Sequence, residues 1–498
     1  MDISNTIDQL TTMECHISHL PEELLANILQ YLDVTPPSIT KARQEPCRLL
    51  TVSEDLTLKH ISRVCKLFRR LTLPILFKHT RLRLDAPPRR AHWSKCPFCT
   101  ESTVKYRMAG GQPLPVLGDV DRYHADMLDE LVHLLSGDSG GAQKVLGDFP
   151  TPVGYTMIRN YLDWVPRFYH GLKDFLNFLR ERDLTACVES FVLITDKMLN
   201  QKLDRFPHRA AADLDWRFKA AAAMWHHLLS ITSPSRISIL APPMDLACLT
   251  NCAIDTFGDW AFGDMDFHVL SLSLPQPPID LLPAPQYNKL DPIPHRYPGL
   301  APSSLLNLHP WTTLTLNEGA FLKAYGTYEY FERGPPSLIY SIKDSLSPRP
   351  IFNANAQRIS HAPLANLRNL TYTAIFPFAN HLNLEDLLPQ LEELDLQLAP
   401  APDDPILKQP ERVGKAELWD CWSELAAIYG NIAEQLASFR INEATRMKKF
   451  VCRDSQIADL RSELDEVFIC LCLPVWAECK PGVFGRLAVS AGKGGFGV

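Results

Sequence analysis

Three short stretches carry the residues best suited to chemistry. Ser139 lies in Gly137-Asp138-Ser139-Gly140-Gly141, which follows a short helical patch and reads as a flexible Gly/Ser turn. Serine catalysis needs a histidine base held by a buried aspartate. His92, Cys96 and Cys99 lie in HWSKCPFC and have half the spacing of a zinc site. Structural zinc takes four ligands, usually from a second pair, and the nearest spaced pair, Cys248 and Cys252, lies far downstream. Lys493 sits among glycines near the end of the chain. A phosphate loop needs four residues between its glycines and Ser or Thr after the lysine; here six residues separate Gly485 from Gly492, and Gly494 follows Lys493. None of the three is complete. The expectation is no catalytic residue, no bound metal and no cofactor, with a hydrolase or zinc protein built on Ser139 or on Cys96 and Cys99 as the disfavoured alternative.

The bulk composition is that of an ordinary globular protein. Of 498 residues, 46% are hydrophobic, enough for a sizeable core, and the net charge of −7 arises from 50 basic and 57 acidic residues spread along the chain. No basic stripe marks a nucleic-acid or anionic-lipid surface. The longest apolar run, near residue 470, has a proline and is too short for a membrane helix, which needs roughly 18–20 residues. The start, MDISNTIDQL, is acidic and polar, unlike a signal or transit peptide. The 13 cysteines are odd in number and mostly within apolar patterns, which suits reduced, buried thiols. A cytoplasmic or nuclear location is expected, with no nucleic-acid or membrane partner. The 40 prolines predict many loops.

These residues must be positioned by elements, and the patterning divides the chain. Over 16–85, Pro21, Glu22 and Glu23 read as a helix start. Leu24, Leu25, Ile28, Leu29 and Leu32 then form one stripe, and Leu58, Ile61, Val64, Cys65, Phe68 and Leu71 a second, with Pro74 expected to end that helix. Between them, 34–54 is polar and proline-bearing and is expected to loop out. Residues 86–150 read as a flexible connector. From 151 to 410 a spacing recurs in which an apolar residue is followed three and five positions later by two more. It occurs at Val188, Phe191, Leu193; Phe267, Leu270, Leu272; Trp311, Leu314, Leu316; Leu367, Leu370, Tyr372; and Leu391, Leu394, Leu396, with a partial copy at Ile237 and Ile239. Leu367 and Leu391 are 24 positions apart, inside the leucine-rich-repeat range of roughly 20–29. The Asn or Cys that usually follows such a core is replaced by Gly319 and Ala399. Residues 411–482 read as a helical cap, and 483–498 as a disordered tail.

The segment HISHLPEELLANILQYLD, followed by HISRVCKLFRRLTLPILFKHTRLRL, resembles an F-box in the style common among fungal F-box proteins. The matching positions are Leu20, Pro21, Glu22, Leu24, Leu25, Ile28, Leu29, Tyr31 and Leu32, then Ile61, Ser62, Val64, Cys65, Phe68, Leu71, Pro74, Leu76 and Phe77. The insert between the halves departs from the family, and Phe68 stands where Trp is common. GDSGG also matches the nucleophile motif of trypsin-like proteases, but their Ala-Ala-His-Cys segment is absent. The F-box resemblance implies a non-catalytic adaptor subunit of an SCF-type (Skp–cullin–F-box) ubiquitin ligase. Its adaptor-binding residues would be Leu20, Pro21, Leu24, Leu25, Ile28, Leu29, Leu32, Ile61, Val64, Cys65 and Phe68. Its partners would be a Skp-type adaptor, through it a cullin–RING ligase, and a protein substrate; an F-box role outside ubiquitination is the alternative. The expected architecture is an α+β or α/β solenoid: a helical F-box, an irregular leucine-rich-repeat-like domain and a helical carboxy-terminal cap.

Overall fold

The computed structural model describes residues 20–83, the strands at 106–109 and 112–115, and, with short breaks, 172–195, 221–252, 267–277, 304–326, 337–342, 364–438 and 446–487. His92, Cys96, Cys99, Ser139 and Lys493 lie outside the described residues, as does most of the expected connector. Within that connector, β2 (Tyr106–Ala109) and β3 (Gln112–Pro115) form an antiparallel hairpin.

The chain starts with α1 (Glu22–Gln30), α2 (Pro37–Thr40), α3 (Thr57–Ile61) and α4 (Lys66–Lys78). The second stripe is therefore two helices rather than one. Cys65 breaks it, extended at φ −155°, with its Sγ accepting the Phe68 N–H at 3.5 Å. Pro74 does not end α4, which runs on to Lys78. Proline removes one helical N–H, but its fixed φ is helical. The last turn is held by packing: Ile75 lies against the Leu25–Leu29–Phe68 cluster, and the Phe77 ring meets Phe178 at 5.1 Å.

From α4 the chain passes straight into β1 (His79–Arg83), which pairs with β4. β1 is the edge strand of a ten-stranded sheet ordered β1-β4-β5-β6-β7-β8-β9-β10-β12-β11. The others are β4 (Ser190–Ile194), β5 (Arg236–Ala241), β6 (His268–Ser273), β7 (Thr313–Ala320), β8 (Asn369–Ile375), β9 (Glu393–Gln397), β10 (Lys449–Cys452), β11 (Trp476–Lys480) and β12 (Val483–Arg486). Every copy of the recurring spacing, the partial one included, is a strand. The order is sequential up to β10 and mostly parallel, but β6 runs antiparallel to both β5 and β7. Met447, Phe450 and Cys452 repeat the same spacing in β10, unread in the sequence.

Strand side chains alternate between faces. Phe191, Leu193, Ile237, Ile239, Leu270, Leu314, Leu370, Leu394 and Phe450 all enter the main core. That core is closed by Trp225, Leu228 and Leu229, by the helix Leu418–Ser438 and by the helix Ala458–Cys472. The carboxy-terminal block is thus helix and strand together. Val483–Arg486, expected in a structureless tail, instead form β12 between β10 and β11, with Phe484 buried.

The opposite face carries a second, small apolar cluster of Val192, Ile194, Leu240 and Val269 around Leu50. Leu50 belongs to the segment expected to loop out. That segment does not bulge away; it lies across the sheet. Among the described residues, no helix is long and apolar enough to cross a membrane.

Candidate docking surface

The candidate site is assembled by α1, α3 and α4. Leu20 and Pro21 lead into α1, whose first-turn N–H groups at Leu24 and Leu25 donate to the Pro21 carbonyl at 3.0 and 3.1 Å. Glu22 and Glu23 face the positive helix end. Leu25 and Leu29, four apart and therefore on one face, pack onto Phe68, with Leu32, Ile61, Leu67 and Leu71 half-buried around them. Thr72 Oγ1 donates to the Phe68 carbonyl at 2.7 Å. Arg70 pairs with Glu22, and Lys78 with Asp33 at 2.8 Å, tying α4 to both ends of α1. The hydrogen bond to Asp33 raises the Lys78 amine above its ordinary range.

The expected adaptor residues therefore divide in two. Leu25, Leu29, Leu32, Ile61 and Phe68 come together inside. Leu20, Leu24, Ile28 and Val64 stay outside, with 39%, 50%, 43% and 69% of their surfaces exposed; Pro21 and Cys65 are exposed as well. Tyr31, at the end of α1, is 90% exposed and extends the same surface. Its three-residue offset from Ile28 was the available signal. Lys66, Arg69 and Arg70 are exposed on the outer surface of α4. The arrangement holds an apolar strip beside a basic one, and it offers no nucleophile with a base.

No group of three His, Cys, Asp or Glu among the described residues is placed to hold a metal. Cys252 is buried, its thiol pushed up to about 12 by burial. Among the cysteines whose side chains are described, Cys47, Cys65, Cys187, Cys252, Cys421, Cys452 and Cys479 are free thiols. Glu318 is buried in the core, accepting from Ser337 Oγ at 2.6 Å, Leu338 N–H at 3.1 Å and Tyr372 Oη at 2.6 Å, with His381 Nε2 at 3.5 Å and His268 Nδ1 at 3.9 Å. Burial lifts its carboxyl to about 7 and pushes the His268 imidazole down to about 3. Asp454, also buried and raised to about 6 by burial, accepts from Leu398 N–H, Ala399 N–H and Tyr429 Oη. It joins the end of β9 to the helix Leu418–Ser438. Neither carboxylate stood out in the sequence, because each finds its donors across long separations.

In comparisons with protein-family models, curated proteins and solved structures, nothing matches the chain.

Proposed function

We propose that this chain is the substrate-recognition subunit of an SCF-type ubiquitin ligase: an F-box protein whose sheet is an irregular, leucine-rich-repeat-like solenoid. The observation that carries the reading is the division of the α1 stripe. Leu25 and Leu29 close a small core with Phe68, while Leu20, Leu24 and Ile28 remain outside with nothing of the described chain over them. Exposed apolar strips beside polar residues mark protein-binding surfaces. The LPEELL and VCKLF segments resemble those that, in F-box proteins, meet a Skp-type adaptor.

The chain itself does no covalent chemistry. The adaptor joins it to a cullin and a RING subunit, and the sheet domain holds the substrate near the charged enzyme, so that tethering raises effective concentration. Strands β4 to β10 lie side by side in chain order, as in a solenoid; the reversed β6 departs from a regular repeat. Because α4 continues into β1, docking geometry at the helices is passed rigidly to the sheet.

The test is co-purification. The chain should bring down a Skp-type adaptor and a cullin. Replacing Leu20 and Pro21 together by Ala should weaken the adaptor while the thermal transition persists. Unchanged adaptor recovery from that variant would overturn the assignment.

A further inference from the structure

Segment 41–51 crosses the face of the sheet opposite the main core, in the reverse of strand order. At one end, Arg81 Nε of β1 donates to Thr51 Oγ1 at 2.9 Å. Leu50 then fills the cluster of Val192, Ile194, Leu240 and Val269 from β4, β5 and β6. Pro46, buried, lies over Gly319 of β7. Asn317 Nδ2 donates to two alternate backbone carbonyls, Ala42 at 2.9 Å and Gln44 at 2.8 Å. Arg43 reaches β9, where its guanidinium holds both oxygens of Asp395 at 2.8 and 2.5 Å. Glu45 pairs with Arg412 beyond the sheet.

The receiving face is built to accept such a segment. A bulge at Asn317 and Gly319 fixes the asparagine, because its Oδ1 accepts the Gly319 N–H at 3.1 Å and leaves Nδ2 aimed outward. Gly319 has φ +74°, a conformation that favours glycine. Ile194, Leu240, Val269 and Asn317 stand on one continuous register row, with Asp395 on the neighbouring row of the same face. A fixed amide reading backbone, a carboxylate reading a guanidinium and an apolar pocket reading a leucine on a short 3-10 turn make a groove for a peptide.

The occupant is thin and replaceable. Only Pro46 and Leu50 of 41–51 are buried. Asp395 has a second partner, Arg453, at 3.1 and 2.9 Å, so removal of Arg43 leaves no unpaired buried charge. The α1–α4 packing through Leu25, Leu29 and Phe68 does not pass through the segment.

We propose that this face is a peptide-binding groove, held closed by the chain's own 41–51 segment, and that its ligand is a peptide bearing an arginine, a proline three residues on and, four further, a leucine carried on a single helical turn like Arg48–Thr51. Calling that ligand the substrate rests on the proposed function; the groove does not. A tethered occupant competes at an effective concentration in the millimolar range for a short flexible linker, so the groove opens only to a ligand that outcompetes it or when the segment is displaced.

The experiment uses the full chain and a fluorescent peptide of residues 38–54 with Cys47 replaced by Ser. The unaltered chain should bind it weakly. The Arg43→Ala, Leu50→Ala double variant, which keeps its tether but loses its grip, should bind it at least tenfold more tightly. Adding Asp395→Asn to that variant, or Arg43→Ala to the peptide, should remove most of that gain. A folded double variant that ignores the peptide, or one indifferent to Asp395→Asn, overturns the proposal. So does a double variant that unfolds, which would make the segment part of the core. Adaptor recovery separates the two readings: an unaltered chain that recovers no adaptor sinks the F-box assignment, and a folded double variant with no gain in peptide binding sinks the groove.

Discussion

Two leucines one position apart have opposite roles here. Leu24 is half exposed and Leu25 buried, although they share one apolar stripe. Leu24→Glu together with Ile28→Glu should reduce Skp-adaptor affinity by more than about tenfold, with the thermal transition unchanged, since both side chains already face outward. Leu25→Ala should do the reverse, costing about 2–5 kcal/mol of stability through a cavity beside Phe68. Equal effects of both on adaptor recovery and unfolding temperature would show that the strip is core. Glu318 gives a second residue-scale prediction. Its carboxyl rises from the ordinary 4.5 to about 7, so the folded state binds the proton more tightly than the unfolded one. Its contribution is fully present below about pH 4.5 and is lost as pH rises through 7. The shift corresponds to about 3 kcal/mol in all. His268 and His381 face this carboxyl. The depressed His268 contributes in the opposite direction, so Glu318→Gln should raise the unfolding temperature at pH 8 relative to that at pH 5 when compared with the parent chain; an unchanged pH profile would show that another group carries the effect.

Among the elements, β12 carries the clearest consequence. Phe484 lies 5.9 Å from the Phe450 ring and 5.1 Å from Phe468. Gly482, at φ +70°, approaches the Cys452 carbonyl so closely that a Cβ would collide with it, and the Cys452 N–H donates to the Gly482 carbonyl at 2.7 Å. A chain ending at 487 should keep its thermal transition. One ending at 482 loses β12, leaves β10 without that neighbour and strips the cover from Phe450; it should melt well below the longer chain and expose an aggregation-prone edge. Equal melting of the two would remove β12 from the cooperative unit. The strands themselves were legible because apolar residues three and five positions apart mark a strand entry with one buried face. β4 and β5 were legible in a further sense: Val192, Ile194 and Leu240 make their second faces apolar too, and these are the strands that Leu50 covers. The direction of β6 was not legible, since alternation reads the same either way along a strand.

On the scale of the whole molecule, helices, sheet and carboxy-terminal block form one continuous body. α4 runs into β1, and the Glu189 N–H donates to the Lys78 carbonyl at 2.9 Å. The helix Leu418–Ser438 buries Leu425, Ile428, Tyr429, Ile432 and Leu436 against the sheet, and Trp422 meets Phe376 at 4.7 Å. Each such side chain contributes ~1.5–3 kcal/mol. Losing the block would therefore remove an amount comparable with the roughly 5–15 kcal/mol stability of a whole domain. Truncation after residue 410 should give an insoluble or protease-sensitive chain. A soluble product with a sharp transition would make the block a separate domain.

The sequence by itself determined the local periodicities: the stripe of α1, the strand entries from Val188 to Leu396 and the helical pattern from Leu418. It also contained the segments that resemble an F-box. Such patterns depend on residues a few positions apart, where backbone geometry dictates which side chains share a face. Only the tertiary structure decided which half of each stripe is inside, that α4 runs through Pro74, and that 41–51 lies on the sheet rather than looping away. Arg43 and Asp395 are 352 positions apart. A polar, proline-bearing segment reads as solvent-facing until the fold brings a carboxylate, an asparagine and an apolar pocket beneath it, because a contact over that separation exists only once the intervening strands have closed into one sheet.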